Sequence, residues 1–132
     1  ATQTRTITPT PTITPIPTIT GTPFPPITWA GTYSIRVGAT DSAMFLVQSG
    51  NALTADVTVG VVIVSVSGTL SADTATASGA FSGGATGTFF WRMNANGNQF
   101  SGRWVNSADN STLAWCGARN GAPLPDPCLA NP

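Results

Sequence analysis

The stretch Thr86-Gly87-Thr88-Phe89-Phe90-Trp91-Arg92-Met93-Asn94-Ala95-Asn96-Gly97-Asn98-Gln99-Phe100-Ser101-Gly102-Arg103-Trp104-Val105 decides the fold. Its first half puts Phe89, Trp91 and Met93 on one face of an extended chain, because strand side chains alternate with a period of two. Asn96-Gly97 in its middle is the strongest hairpin signal in the chain, since a type I′ turn needs positive φ at both central residues. The stretch therefore predicts a strand over 86–94, a tight turn, and a second strand over 98–105.

The same texture extends outward in both directions, as short alternating runs broken by turn residues. Upstream, Trp29 to Val37 places Trp29, Gly31, Tyr33, Ile35 and Val37 on one face, and Gly38 to Asp41 turns the chain. Strands follow over Ala43–Gln48, over a run lined by Leu53, Ala55, Val57 and Val59, over Val61–Leu70 and over Thr74–Phe81. Downstream, Asn106 to Asn110 is a polar loop and Ser111–Arg119 is the last strand. No helical period appears. The prediction is an all-β fold of eight short antiparallel strands in an up-and-down barrel, which closes on itself and removes exposed edges. A two-sheet β-sandwich is the competing architecture. Two units are expected: an extended Thr/Pro-rich tail over 1–28 and a barrel domain over 29–132, with Asn120 to Pro132 as a Pro-rich cap.

One strand is unusual. Val59, Val61 and Ile63 share one face of the fourth strand while Val62, Val64 and Val66 share the other, so both faces call for burial. An uncharged β-branched run of this kind is a pairing hazard when left open. Val59, Val61, Val62, Ile63 and Val64 are thus a candidate docking strand.

The tail has its own pattern. Thr2, Thr4, Thr6, Thr8, Thr10, Thr12 and Thr14 hold the even places. Gln3, Arg5, Ile7, Pro9, Pro11, Ile13 and Pro15 hold the odd ones, and Pro17 continues the series. Backbone groups of a strand also alternate between its two edges, so all the N–H groups lost to proline lie on one edge. Such a strand pairs on one side only. Ile7, Ile13, Ile16 and Ile19, with Pro9, Pro11 and Pro15, are the expected assembly residues of the tail. The competing reading of this composition is a solvated polyproline spacer.

Composition narrows the function classes. Five Arg and five Asp are the only charged side chains, with no Lys, Glu or His, and the net charge is zero. Nucleic acid is excluded as an expected partner, since phosphate binding needs a positive surface. No apolar run reaches the length of a membrane-spanning helix. With neither His, Lys nor Glu, the chain lacks an evident acid–base pair or activated nucleophile, so no enzyme activity and no catalytic residue is expected. Its aspartates are read mainly as turn formers. No metal and no cofactor are expected, two thiols without histidine being a poor metal site. Cys116 and Cys128 are expected to form a disulfide worth about 3 kcal/mol for a loop of this size. That points to an oxidising, secreted, extracellular or cell-surface location, with Ala1 as the residue left after signal removal. A surface so poor in charge calls for another solvating group. The seven tail threonines, Thr2 to Thr14, are candidate O-glycosylation sites, and Asn110-Ser111-Thr112 is an N-glycosylation sequon.

Three short motifs, Trp29-Ala30-Gly31-Thr32-Tyr33, Phe100-Ser101-Gly102-Arg103-Trp104 and Trp115-Cys116-Gly117-Ala118-Arg119, resemble those of the calycin-type barrels. These are the lipocalin and avidin group and their bacterial secreted relatives. The resemblance covers about residues 29–119. It implies that Trp29 and Arg119 form a pair closing one end of the barrel, and it raises the expectation of a small apolar ligand. Phe45, Phe81, Phe89, Trp91, Met93, Phe100 and Trp104 are large enough to fill an eight-stranded interior instead.

These observations lead to one expected function. The chain is a non-enzymatic structural subunit of an extracellular or cell-surface filament, polymerising with copies of itself as its tail docks on a neighbouring barrel. Fifteen extended residues span roughly 50 Å, enough to cross a domain of this size. Its partner is another copy, with covalent glycans as the other expected addition. The alternative is a monomeric secreted binding module for a small apolar ligand or a glycan, carried on a glycosylated stalk.

Overall fold

Alternation of apolar and small polar residues builds eight strands, described here in a computed structural model over residues 27–132. They are β1 (Gly31–Val37), β2 (Thr40–Ser49), β3 (Ala52–Val59), β4 (Val62–Leu70), β5 (Thr76–Gly83), β6 (Gly87–Met93), β7 (Gln99–Asn106) and β8 (Thr112–Ala118). Each pairs antiparallel with the next, and β1 pairs with β8, so the sheet closes into an up-and-down barrel of calycin-like architecture. The sandwich alternative does not occur. Thr2–Thr14, Ile7, Ile13, Ile16, Ile19 and the tail prolines lie outside the described residues.

The first two hairpins are tighter than the sequence indicates, and the third has one turn residue more. Val37 pairs with Thr40, Ser49 with Ala52 and Val59 with Val62, leaving two-residue turns. Each turn opens on a glycine at positive φ, as in Gly60 at 64°, the first-position signature of a II′ turn. Val61 is consequently the tip of a turn and not the start of a strand. Asp41, read as a turn residue, lies on β2 opposite Arg36 and pairs with it at 2.5 Å. The Asn96-Gly97 hairpin is looser than expected. Gly97 N–H donates to Asn94 O at 3.0 Å, and Gly97 alone has positive φ there, at 73°. The loop is a longer one ending on a left-handed glycine.

The interior divides into two halves. The β2–β4 side is aliphatic, built from Met44, Leu46, Leu53, Val57, Val64 and Val66. The β6–β8 side is aromatic: Phe89, Trp91, Phe100, Trp104 and Trp115 are buried together with Phe81 of β5 and with Trp29 and Tyr33. Eight short strands leave little room inside, and glycine stands opposite several rings on the neighbouring strand, in the pairs Phe81–Gly87, Phe89–Gly79, Trp91–Gly102 and Phe100–Gly117. Gly87, Gly117 and Gly68 leave space for the Phe81, Phe100 and Phe89 rings themselves, whereas Gly79 and Gly102 are met by neighbouring backbone. A Cβ added at Gly117 would lie 2.2 Å from the Phe100 ring, and one at Gly102 would lie 1.7 Å from the Phe90 carbonyl oxygen. Ring centroids then come as close as 3.8 Å for Phe81–Trp104 and 4.3 Å for Phe89–Trp91. The indole N–H groups of Trp91 and Trp115 find no hydrogen-bond acceptor among the described residues, and the two rings meet edge to face at 4.7 Å.

Candidate docking surface

The outer wall of the barrel is a field of small hydroxyl side chains, with Thr54 and Thr58 on β3, Ser65, Ser67 and Thr69 on β4, and Ser78 and Ser82 on β5 all exposed. Large apolar groups interrupt it at several places on β2–β4, and Leu113 of β8 is exposed elsewhere. Phe45 is 64% exposed and Val47 47% on β2, while Ile63 on β4 is 63% exposed and Val61 98% at the β3–β4 turn. Scattered exposed apolar residues are ordinary, but a grouping on one wall marks a candidate contact surface.

Ladder register gives this wall its shape. Phe45 stands opposite Asp56, which stands opposite Ser65; two residues on, Val47 stands opposite Thr54, which stands opposite Ser67. Small side chains on β3 and β4 beside taller ones on β2 leave an open trough of about 470 Å³. Asp56 lies in its floor, its Oδ1 accepting a hydrogen bond from Ser65 Oγ at 2.9 Å. Among the described residues the only ion pair is Arg36–Asp41, so no guanidinium pairs with Asp56 there.

The five valine and isoleucine residues singled out in β3 and β4 separate in the fold. Val64 is fully buried, Val59 and Val62 are half-buried against the core, and Ile63 and Val61 face out. Both edges of β4 are engaged by β3 and β5, and the barrel as a whole leaves no strand without two partners. A tail seeking main-chain pairing along β4 finds that edge already occupied, so docking there runs through side chains on the outer face. Phe45, expected with the other large residues to fill the interior, instead faces out, because its register puts Met44 and Leu46 on the inner face, and Val47 is a second outward residue not singled out in sequence. The signal was present, since Ala43, Phe45 and Val47 alternate with Met44 and Leu46 and make β2 apolar on both faces, as β4 is.

The other predicted pair sits at one end of the barrel. Trp29 is fully buried, stacked on Trp91 with centroids 6.2 Å apart. Its backbone N–H donates to Gln48 Oε1 at 2.7 Å and its indole N–H to Thr74 O at 2.7 Å, while Tyr33 O–H donates to Trp29 O at 2.6 Å. Arg119 donates to the carbonyls on both sides of Trp29: to Ala30 O at 2.8 Å and to Thr28 O. It also donates to Gly97 O at 2.8 Å, and its guanidinium lies 5.3 Å from the Tyr33 ring centroid. The arginine thus grips the backbone around the tryptophan and stacks on the tyrosine. It does so where the β1–β8 ladder stops: β1 pairs with β8 only over Ser34–Val37, and the Arg119 side chain bridges the remaining gap. Burial pushes the Tyr33 phenol up to about 12, a rise the nearby Arg119 charge partly opposes. Sequence reading missed Gln48 and Thr74. Thr74 is buried with φ of 60°, rare for a β-branched residue, and its Oγ1 also accepts the Ile27 N–H at 2.8 Å. Beside this end lies a cleft of about 570 Å³ lined by Ile27, Ala75, Met93, Asn94 to Asn98 and Arg119.

Cys116 and Cys128 are bonded, with Cα atoms 5.7 Å apart, which pins the Pro-rich cap over the outside of β8. Asn110 of the sequon is exposed in the β7–β8 loop at φ of 57°. Among the described residues no group of His, Cys, Asp or Glu is placed to hold a metal ion, and no helix is long and apolar enough to cross a membrane. Comparison with protein-family models, curated proteins and solved structures finds no match to this chain.

Proposed function

We propose that this chain is a non-enzymatic structural subunit of an extracellular or cell-surface filament, in which the tail ahead of Ile27 in one copy docks on the barrel of the next, Ile27 and Thr28 being held by their own barrel. The observation that carries the reading is that Phe45 and Val47 on β2, with Ile63 and Val61 near the β3–β4 turn, are large apolar groups left open on a β2–β5 wall where hydroxyl side chains otherwise predominate. The Ile/Pro face of the tail is the complementary surface within the same sequence. The calycin-like barrel is, on this reading, a bead of the small secreted kind and not a ligand carrier, since clustered rings fill its interior. A contact between the tail of one copy and the wall of another is heterologous, and with a rotation between copies that closes no ring it propagates as a fibre. The docking is face-on, unlike strand addition, because the strand edges are engaged within the barrel. The threonine side of the tail then faces solvent and is open to glycosylation.

Size measurement tests it. Full-length protein is expected as a polymer, and protein lacking Ala1 to Gly21 as a folded monomer. Equal monomer sizes for the two would remove the filament reading. They would favour instead a monomeric binding module, whose best site is the cleft of about 570 Å³ beside Arg119.

A further inference from the structure

We infer that the trough on β2–β4 is the seat of a second copy's tail, with Arg5 on Asp56 and Ile7 against Val47. This rests on the filament reading and specifies its contact. Arg5 is the only charged residue in the first 28, and Asp56 is a carboxylate in the trough floor with Ser65 as its hydrogen-bonding neighbour. The two spacings match. Arg5 and Ile7 are two residues apart on the odd face of the tail, and side chains two apart in an extended chain are separated by about 6.8 Å. The trough presents two rows at the same interval: Phe45–Asp56–Ser65, then Val47–Thr54–Ser67. A tail lying along β2 in the same direction puts its guanidinium in the first row, between the Phe45 ring and the carboxylate. Its isoleucine falls in the second row, beside Val47 and over the small Thr54 and Ser67. Pro9 follows over the row of Ser49, Ala52 and Thr69, where small side chains leave space. The even threonines face away from the barrel throughout.

A charge-swap mixture tests this seat and shows whether the contact is made between chains. Arg5→Asp and Asp56→Arg each set like charges together and are expected to raise the concentration needed for assembly about tenfold or more. Mixed one to one, the two variants restore opposite charges at both alternating contacts, and polymer is expected to return. Either variant assembling as the unaltered protein does, or a mixture that stays monomeric, overturns the seat. Heat unfolding of each variant checks that the barrel is intact, and Asp56→Asn gives a neutral variant with an intermediate effect expected. Removal of residues 1–21 separates the two levels. If removal abolishes assembly while the charge variants have no effect, the filament reading stands and this seat falls. If the shortened protein still assembles, both fall.

Discussion

Tyr33 is the one tyrosine in the chain, so its ionisation can be read directly by tyrosinate absorbance. Burial favours the neutral phenol, and the ordinary value of 10.0 rises to about 12 in the fold. A group whose folded pKa is raised contributes its stability in full below the unfolded value and loses it as pH climbs through the folded one. The barrel is therefore expected to hold to about pH 10 and weaken toward pH 12, with the absorbance midpoint near the upper figure; a midpoint near 10 would show an accessible ring. Gly102 gives a second test at this scale. Its missing side chain lets the β6 backbone lie close across the ladder, since a Cβ there would meet the Phe90 carbonyl oxygen at 1.7 Å and the Trp91 Cα at 2.8 Å. Gly102→Ala is expected to cost about 3 kcal/mol or more in chemical unfolding. The sequence shows the alternation of these aromatic residues but not that glycine partners make room for them. Register is a property of two strands, and no single run displays it. Thr74 was illegible for a similar reason: its role lies in accepting hydrogen bonds from Ile27 and Trp29, 47 and 45 residues away.

Among the elements, β8 carries the barrel's closure. Its ladder to β1 is short, Arg119 extends the seam by side chain, and Cys116 fixes the cap outside it. Arg119→Ala removes charged hydrogen bonds to Thr28, Ala30 and Gly97, and a loss of about 2 kcal/mol is expected. Faster amide exchange around Trp29 should accompany it; unchanged exchange there would mean that β1 is held by its core packing alone. Reducing the disulfide is expected to lower stability by about 3 kcal/mol while leaving a closed barrel, since Cys128 lies beyond the eight strands. The eight strands were legible because alternation within each run is local. Their ends were read less accurately. Asp41 belongs to a strand, because a two-residue hairpin with a leading glycine lets pairing run almost to the tip, and Val61 belongs to a turn, because the third hairpin needs a second residue beside Gly60.

At the scale of the whole molecule, core and candidate contact surface divide between opposite faces of the same strands. On the proposed filament reading, replacing both Phe45 and Val47 by Ser is expected to weaken self-association strongly while shifting the unfolding midpoint by a few degrees at most, both residues being largely in solvent. A large loss of heat stability would place them in the barrel's own packing. Half of the candidate surface was visible in sequence as the doubly apolar fourth strand. The trough was not, because its floor and wall are set by which residues of β2, β3 and β4 stand side by side. The indole rings offer a separate handle on this architecture. Trp104 lies 5.4 Å from Trp115, Trp115 lies 4.7 Å from Trp91, and Trp91 lies 6.2 Å from Trp29. Excited states on rings this close mix, so the four tryptophans act as a single chiral chromophore running from the chain's arrival at β1 to β8. Only the Trp29–Trp91 coupling reaches across the β1–β8 seam, the other three rings standing on β6–β8, so the part of the exciton signal in circular dichroism that needs Trp29 is an optical readout of ring closure, lost when the seam parts even if every hairpin survives.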